Sequence, residues 1–356
     1  MAYQISSRSY GVLPSGHQVD AWTLTGRGGL VLEVITLGGI VTQMLAPGRN
    51  GRTDDVVLGF NDLDSYAAGH PYFGAITGRV AGRITNATFA IDGTAYKLAA
   101  NNPPNHLHGG VCGFDKRVWR ASPVERRDGA PSLRLEYLSL DDEEGYPGNV
   151  TVKVIYTVTD DNVFLIETEA RADRTTPLNL THHSYFNLAG ESSGTIDDHW
   201  LQIFATEYVP TDEHMTLSGK LEPVRDGGNS FSQPRRLGEA IPTLFQRHGD
   251  LYSLPAHAAD ELTLAAIVSE PASGRVLTVS TTESYLQFYS GVNLNGELVG
   301  KSGAAYETHA GFCLECHGYP DASNPVFGKE IMLHPGQTKK HTTAYAFSVK
   351  AVGAEQ

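Results

Sequence analysis

Alternation of apolar and polar side chains with a period of two constrains this fold more than any other feature. Every second residue from Val150 to Val158 is Val or Tyr, and most residues between them are polar. Successive side chains of a β-strand point to opposite faces, so the pattern predicts a long strand with one buried face. The turn sequence Asp160-Asp161-Asn162 leads into a second run at residues 163–171, which predicts an antiparallel hairpin.

Similar short runs recur along the chain, whereas long helical periodicity is absent. With 38 Gly and 18 Pro among 356 residues, turns are plentiful. Many strands at short spacing predict an all-β sandwich or barrel, and without a linker or composition shift we predict one domain of residues 1–356. The other predicted elements are strands at residues 30–37 and 40–45 (two strands, or one with a bulge), 55–60, 275–281, 286–289 and 342–350, a hairpin at residues 89–96 that turns at Asp92-Gly93, and a short helix within residues 61–68.

The composition excludes several classes of protein. Hydrophobic residues make up 40% and charged residues 19% of the chain, which is typical of a soluble globular protein. The net charge of −13 disfavours a nucleic acid or an anionic membrane as partner. No apolar run approaches the ~20 residues that span a bilayer, and residues 1–16 lack the pattern of a secretory signal. Three cysteines, an odd number, do not form a disulfide framework, so we expect a reducing compartment, the cytoplasm.

A carboxylate in the middle of a predicted strand marks residues 311–321. Alternation divides this strand into an apolar face and a face that carries the carboxylate: Phe312, Leu314 and Cys316 against Cys313, Glu315 and His317. A mid-strand carboxylate is costly unless it meets solvent, a partner or a substrate. Glu315 is therefore either an exposed residue of an edge strand or a functional group.

The same stretch has the Cys-x-x-Cys-His spacing of a c-type haem attachment site, and it can also be read as a redox or zinc pair. In a strand, however, Cys313 and Cys316 face opposite sides and cannot easily hold one ligand. A zinc site would need a second cysteine pair, which the sequence lacks. These features disfavour the metal and redox interpretations.

Residues 178–188 are the second informative stretch. Read as a strand, they place two sets of side chains on opposite faces: Leu180, His182, Ser184 and Phe186 against Asn179, Thr181, His183, Tyr185 and Asn187. The second face consists of hydrogen-bonding groups and suits a groove that binds many hydroxyls. A lone histidine is more often a satisfied structural residue, but this parity favours His183 over His182 as the functional one.

Three turn-rich segments carry further candidates. His108 precedes Gly109-Gly110, which indicates a side chain presented where backbone approaches closely, although loop histidines also occur without a role. Arg79 and Arg83 lie among glycines without phosphate-loop spacing, so a hydroxyl or carboxylate partner is favoured over a nucleotide. The acidic turn at residues 141–146 lacks the alternating ligands of a calcium loop, so a solvated turn is favoured over a calcium site.

Together, these motifs resemble the aldose 1-epimerase (galactose mutarotase) family, in collinear order through nearly the whole chain. The resemblance implies a large antiparallel β-sandwich of curved sheets, the galactose mutarotase-like supersandwich, which agrees with the predicted strands. It also implies an enzyme that interconverts the α and β anomers of free hexoses such as galactose and glucose. The matching segments are residues 72–74, 78–84, 104–110, 113–116, 144–148, 179–190, 208–211, 287–291, 314–315 and 319–322.

The resemblance further implies roles for individual residues. Glu315 matches the catalytic base and His183 the catalytic acid of ring opening, and we expect each to be kept charged by the other. The positions that match sugar-binding residues are Arg83, His108, Asp250 and Gln287. No metal or other cofactor is implied; the expected partner is a hexose, and the chain is either a monomer or a homodimer.

The chain departs from the family's pattern at three places. Gly82 stands where Asn is usual, His248-Gly249-Asp250 replaces the commoner Tyr-Asp-His, and Cys316-His317 replaces a polar pair after the Glu. Other functions remain open at this point. They are a non-catalytic carbohydrate-binding protein on the same scaffold, a hexose 6-phosphate mutarotase, which would need a basic cluster that is not obvious near the motifs, and a haem or redox protein.

Overall fold

Antiparallel β-strands form most of the regular structure of this protein. The computed structural model describes residues 4–350, so residues 1–3 and 351–356 of the predicted domain lie outside the described part. In chain order, the strands are β1 (Gln4–Val12), β2 (Gln18–Thr25), β3 (Val31–Ile35), β4 (Val41–Pro47), β5 (Thr53–Asp55), β6 (Ile76–Thr77), β7 (Arg83–Ile84), β8 (Thr88–Ile91), β9 (Thr94–Lys97), β10 (His106–Leu107), β11 (Arg120–Val124), β12 (Ser132–Ser139), β13 (Val150–Val158), β14 (Val163–Ala172), β15 (Thr176–Pro177), β16 (Thr181–His182), β17 (Trp200–Ile203), β18 (Glu207–Val209), β19 (Glu222–Pro223), β20 (Arg235–Arg236), β21 (Leu251–Ser253), β22 (Thr263–Ser269), β23 (Arg275–Thr281), β24 (Tyr285–Tyr289), β25 (Cys313–His317), β26 (Met332–Leu333) and β27 (Lys339–Val349).

Helices are few and short. The α-helices are α1 (Leu63–Ala68) and α2 (Leu237–Ala240), and the 3₁₀ turns are Arg49–Gly51, Thr85–Ala87, Phe114–Lys116, Glu143–Gly145, Ile241–Thr243, Phe245–Arg247 and Gly328–Ile331. Helix α1 confirms the predicted helix, and the Asp62 carboxylate caps it by accepting the Ser65 N–H at 2.8 Å. None of the helices formed by residues 4–350 has the length and apolar character to cross a bilayer.

The strands pair in three larger sheets and four two-stranded ones within the described residues. The largest sheet has the order β11-β12-β13-β14-β27-β23-β22-β17-β20, and the two five-stranded sheets have the orders β1-β2-β3-β4-β5 and β19-β18-β21-β24-β25. The predicted hairpin is confirmed as β13 and β14, which pair antiparallel from Val150 with Ala172 to Val158 with Phe164.

A single buried apolar cluster joins the nine-stranded sheet to both five-stranded sheets. Val152 of β13, Val34 of β3 and Leu314 of β25 all belong to it and are at most 1% exposed. The Tyr345 hydroxyl of β27 donates to the Leu314 carbonyl at 2.9 Å, which ties β25 to the large sheet. The predicted all-β, antiparallel sandwich is therefore confirmed.

Two local predictions hold for a shared reason. Asp92 and Gly93 both have positive φ, 48° and 79°, as a two-residue hairpin turn requires, and they join β8 to β9. Gly38 and Gly39 also have positive φ, 64° and 56°, and they separate β3 from β4. The run at residues 30–45 is therefore two strands.

The predicted strand at residues 55–60 is wrong. Regular pairing ends with β5 at Asp55, because the backbone beyond it bonds to two different segments. The Val56 N–H donates to the Met44 carbonyl, and the Leu58 N–H donates to the Tyr185 carbonyl. No single partner strand continues the ladder, and sequence periodicity does not reveal such a change of partner.

Candidate active site

Strand register brings Glu315 and Gln287 to one face of a sheet. Antiparallel pairing places Gln287 of β24 opposite Glu315 of β25, and Leu251 of β21 opposite Gln287. Directly opposed residues share a face, so all three side chains line one cavity. β25 is an edge strand of its sheet, yet Glu315 is only 3% exposed. The interpretation of Glu315 as an exposed edge residue is therefore wrong.

His183 reaches Glu315 from a separate segment. Its backbone N–H donates to the Ala75 carbonyl at 3.0 Å, and its Nε2 lies 3.4 Å from Glu315 Oε1. His183 is 3% exposed. His182 points the other way, where its Nε2 lies 2.7 Å from the Ser184 hydroxyl within the protein interior. The structure thus brings together the two residues predicted to form the centre of the site.

The predicted polar groove along residues 178–188 is only partly present. Regular pairing is limited to β16, which pairs with β6, although the alternation of faces extends further. Of the predicted polar face, His183 and Tyr185 line the cavity. The other three side chains donate to backbone carbonyls instead: Asn179 to that of Gly318, Thr181 to that of Cys316 and Asn187 to that of Ala310.

Burial opposes charge on both members of the central pair. Burial raises the pKa of the Glu315 carboxyl from 4.5 to about 8, against a smaller opposing effect of the Arg83 cation. It lowers the pKa of the His183 imidazole from 6.5 to about 3. Burial therefore opposes the charged pair expected from the sequence and favours a carboxylic acid beside a neutral imidazole. Near neutral pH the pair carries one proton and no net charge.

His108 is held by a tightly packed loop. It has a positive φ of 49°, and a Cβ at the following Gly109 would lie 1.7 Å from the Gly78 carbonyl oxygen. This confirms the prediction of a close backbone approach. The carboxylate of Glu144, in the acidic turn, accepts two backbone N–H groups just beyond the loop. The Gly82 N–H donates to His108 Nδ1 at 3.1 Å, so the proton of the neutral ring lies on Nε2.

The two candidate arginines have different positions. Arg83 lines the cavity, and its Nε donates to the Asn102 side-chain oxygen at 2.9 Å. Arg79 is only 2% exposed, and it donates to the Ser139 hydroxyl and to the carbonyls of residues 140 and 147. Arg79 therefore supports the fold, whereas Arg83 faces the cavity.

The cavity measures about 140 Å³, and its wall includes residues that the sequence analysis did not assign to a site. The Tyr72 ring lies beside two histidine rings, with its centre 4.6 Å from that of His108 and 5.7 Å from that of His183. The Thr211 hydroxyl is buried and has no hydrogen-bond partner among the described residues. Tyr72 and Thr211 lie in segments that match the family's motifs, so the family resemblance could have identified them as site residues. Further unassigned wall residues are Met215, His248, Tyr289, His317 and Pro320.

Comparison with known proteins identifies relatives over nearly the whole chain. The family model Aldose 1-epimerase matches residues 20–346. Galactose mutarotase from Sus scrofa is 42% identical to this chain, with 96% of this chain and 97% of the relative covered. Aldose 1-epimerase from Escherichia coli (strain K12) is 33% identical, with 94% and 96% covered.

This chain belongs to the aldose 1-epimerase family. It is an isomerase that interconverts the anomers of a sugar. The solved structure of an aldose epimerase homologue from C. elegans has a TM-score of 0.83 at 26% identity and covers 98% of this chain and 100% of its own. Galactose 1-epimerase from Lactobacillus acidophilus NCFM, at 23% identity, has the same fold, with a TM-score of 0.85 and the same shares covered.

Asp250 is the predicted sugar-binding residue that the structure does not bring to the cavity. Gly249 and Leu251 line the wall, and the residue between them points to the opposite face of the sheet. Asp250 lies there beside Asn229 and Tyr252, and burial raises its pKa to about 6. His248 takes a place on the wall instead, with its ring 4.7 Å from that of Tyr289.

Gly82, which replaces the Asn usual in the aldose 1-epimerase family, has a packing reason in this chain. It has a φ of +83°, and a Cβ there would lie 2.5 Å from the Pro320 side chain. Pro320 thus fills the space that a side chain at position 82 would enter, and both residues line the cavity. An Asn at this position would require Pro320 to move.

The site contains one arrangement of potential metal ligands. Donor atoms of His108, His183 and Glu315 lie within 4.8 Å of one another. A ligating imidazole needs a free lone pair, but His108 uses Nδ1 to accept the Gly82 N–H and carries its proton on Nε2. This chain therefore presents His108 as a hydrogen-bond donor, which does not fit a metal site.

Cys313 and Cys316 lie on opposite faces of β25, as predicted. Cys313 Sγ is 3.5 Å from His183 Nδ1, whereas Cys316 belongs to the main apolar cluster. The two thiols cannot grip one ligand together, and both are free. The haem, redox and zinc interpretations of this segment lose their geometric basis.

Proposed function

We propose that this protein interconverts the α and β anomers of free galactose and glucose, with Glu315 as the base and His183 as the acid. The observation that carries the proposal is the buried pair itself, with Nε2 and Oε1 3.4 Å apart on the wall of a cavity of about 140 Å³. A cavity of about 150 Å³ holds a six-membered ring such as benzene, so one pyranose is a suitable occupant. Galactose is favoured because it appears in the names of several relatives.

Mutarotation breaks and remakes the bond between C1 and the ring oxygen. In ring opening, the Glu315 carboxylate takes the proton of the C1 hydroxyl while the His183 imidazolium gives a proton to the ring oxygen, which leaves an open-chain aldehyde. The pair is then a carboxylic acid and a neutral imidazole. After rotation about the C1–C2 bond, His183 takes a proton from the C5 hydroxyl as its oxygen attacks C1, and Glu315 returns a proton to the carbonyl oxygen.

The pKa directions suit this exchange of roles. Burial favours the acid and neutral imidazole, which is the form that closes the ring. The ion pair that opens the ring is reached when the proton passes from Glu315 to His183, and attraction between close charges in a dry site stabilises it. Both forms hold the same single proton, so the pair returns to its starting state without help from solvent.

Cys313 is proposed to orient His183. Burial raises the pKa of the Cys313 thiol well above its ordinary value, so the thiol keeps its proton. The protonated sulfur accepts the His183 Nδ1–H, 3.5 Å away, so the neutral imidazole keeps a free lone pair on Nε2, the atom that faces Glu315 and takes up the proton.

The remaining polar wall residues are proposed to hold the sugar hydroxyls. The His108 Nε2–H is a donor beside His183, whose ring centre is 5.1 Å away. The Gln287 amide nitrogen donates to the Phe288 carbonyl at 2.7 Å, which leaves its oxygen as an acceptor. Arg83 offers donors, and the unpartnered Thr211 hydroxyl gains a partner from a bound sugar.

The direct test follows the optical rotation of freshly dissolved α-D-galactose and α-D-glucose. Wild-type protein should speed the relaxation to the anomeric equilibrium, and Glu315→Gln and His183→Asn should each lose roughly 10²–10⁴-fold in rate. His17→Asn and Glu297→Gln make the same chemical changes at exposed positions and should keep the wild-type rate. The role assignment is wrong if either site variant relaxes the sugar as fast as wild type.

The same assay separates the rival functions. A carbohydrate-binding protein without catalysis would bind galactose saturably and leave the relaxation rate unchanged. A hexose 6-phosphate mutarotase would act on glucose 6-phosphate faster than on glucose. Arg83 is the one Arg or Lys among the described residues that line the cavity, so the basic cluster that a doubly charged phosphate would need is not found among them.

We also propose that residues 1–356 form one domain that works in a reducing compartment, the cytoplasm, as a monomer or homodimer. The main apolar cluster includes Leu24 and Phe347, so both ends of the described chain contribute to one core. All three cysteines are free, including the exposed Cys112. Gel filtration with light scattering would distinguish the monomer from the dimer.

A further inference from the structure

The cavity carries an uncompensated positive charge. The central Glu315–His183 pair holds one proton and is neutral as a unit, wherever that proton lies. Arg83 remains as a cation: within residues 4–350 its hydrogen bond goes to the neutral Asn102 side chain, and the carboxyl group that interacts with its charge is Glu315, a member of that neutral pair. A guanidinium that is largely enclosed and has no anionic partner of its own is costly, and it attracts an anion, a carboxylate above all.

Asp250, the other carboxylate predicted at the site, is absent from the wall for reasons built into the backbone. Asp250 faces away from the cavity, and the wall positions beside it are Gly249 and Leu251. Gly249 has a φ of +107°, and a Cβ there would lie 2.3 Å from the Phe288 carbonyl oxygen. No acidic side chain fits at position 249 without a backbone shift.

His248 occupies the neighbouring part of the wall as a neutral group. Burial and the nearby Arg83 cation lower its pKa to about 4. Its Nδ1 lies 3.1 Å from the Gly249 carbonyl, which accepts the ring proton, so Nε2 remains as an acceptor. Among the described wall residues, Glu315 is the one carboxyl group, and it belongs to the neutral pair.

From this charge distribution we propose that the pocket accepts hexuronates, aldoses whose C6 is a carboxylate, in addition to neutral hexoses. The proposal rests on the proposed function, because the chemistry is the same. The C1–O5 bond opens and closes by the same two proton transfers, and the C6 carboxylate takes no part in them. What changes is the substrate class, because Arg83 offsets the cost of placing a negative charge in an enclosed site.

The chain's net charge of −13 does not oppose this conclusion. Surface charges are screened beyond about 8 Å at physiological salt, whereas charges within an enclosed cavity are screened much less. Arg83 therefore dominates the potential that a bound carboxylate experiences. The acidic surface slows the approach of an anion and leaves its stability in the pocket largely unchanged.

The test compares D-galactose with D-galacturonate, which differ only at C6, by polarimetry near pH 7. Wild-type protein should accelerate the anomeric relaxation of both sugars. If galactose relaxes faster with enzyme while galacturonate keeps its spontaneous rate, the inference is overturned and the proposed function stands. If neither sugar is accelerated, the proposed function fails and this inference fails with it.

A matched pair of variants isolates the charge. His248 has φ −77° and ψ −50°, which any residue adopts, so His248→Asp and His248→Asn differ in charge and hardly in size. The Asp variant places a carboxylate near Arg83. We expect its galacturonate-to-galactose ratio of kcat/KM to be roughly tenfold or more below that of the Asn variant. Equal ratios would overturn the inference.

Arg83→Gln supplies a second measurement in case the Asp variant folds poorly. Removal of the cation should lower kcat/KM for galacturonate more than for galactose, again by roughly tenfold. Because both sugars are measured on the same protein sample, a general loss of folded enzyme lowers both values and leaves their ratio unchanged. An unchanged ratio in well-folded Arg83→Gln contradicts the proposal.

Discussion

Replacement of Glu315 by Gln should destroy activity and yet make the protein more stable at neutral pH. The carboxyl is 3% exposed, and its pKa is raised from 4.5 to about 8 because burial disfavours its charged form. Between these two values the folded protein keeps the proton and the unfolded chain releases it. Stability is therefore lost as pH rises through this window. Gln has nearly the same shape and no proton to lose.

The magnitude follows from linkage. Where folded and unfolded states differ by one bound proton, stability changes by roughly 1.4 kcal/mol per pH unit. From pH 4.5 to pH 7 the loss amounts to roughly 3 kcal/mol for a fully buried group. Glu315→Gln should thus match wild type in stability near pH 4.5 and exceed it by about that amount at pH 7, a large fraction of typical stability.

Urea unfolding at pH 5 and pH 7 measures this difference. The free energy of unfolding of Glu315→Gln minus that of wild type should widen by roughly 2–3 kcal/mol between the two pH values. Glu297→Gln, at an exposed position, controls for the general effect of removing a carboxylate and should show little change. A pH-independent difference, or a Gln variant less stable than wild type at pH 7, would refute the assigned protonation state of Glu315.

Three further predictions rest on independent contacts. The rate of anomer relaxation should fall above about pH 8, where Glu315 loses the pair's proton, and a pH–rate profile flat to pH 10 would contradict this. The Lys301 side chain is 8% exposed, and its Nζ lies 2.6 Å from the Asp55 carboxylate. Lys301→Met leaves that carboxylate unpaired and should lower the free energy of unfolding in urea by about 3–5 kcal/mol. A loss below about 1 kcal/mol would contradict this prediction. Gly109→Ala places a Cβ 1.7 Å from the Gly78 carbonyl oxygen. It should raise KM for galactose and lower the free energy of unfolding by more than the ~1 kcal/mol of an average substitution. Wild-type kinetics in this variant would show that the loop adapts.

The period of two in the sequence singled out Glu315 and His183 as candidates. Alternation along β25 placed Glu315 on one face and the apolar Leu314 and Cys316 on the other. The same alternation placed His183 and His182 on different faces of their segment. These predictions depend only on neighbours along one strand, where sequence and geometry are directly linked. The family resemblance then supplied the pairing of two segments that are distant in sequence.

Asp250 could not be placed in the same way. β21 begins only at Leu251, and the preceding turn contains Gln246 and Arg247, both with positive φ. No alternation precedes the strand, so the sequence does not show which face residue 250 occupies. A motif alignment one position out of phase turns a side chain from the cavity to the opposite face.

The charge states of Glu315, His183 and His108 could not be predicted from the sequence either. They depend on burial and on contacts between distant segments, such as the Gly82 N–H that fixes the proton of His108 and the Cys313 thiol beside His183. Attraction between Glu315 and His183 was the effect visible from residue types alone. Desolvation, which opposes this attraction, becomes visible only when the enclosing walls are known.

The most direct test of the central claim is a double-mutant cycle on Glu315 and His183, with galactose anomer relaxation as the readout. Two residues that pass one proton across the same carbon act as a unit. The Glu315→Gln and His183→Asn double variant should therefore be about as slow as the slower single variant. If the two losses multiply in the double variant, the residues act independently and the shared-proton account is contradicted.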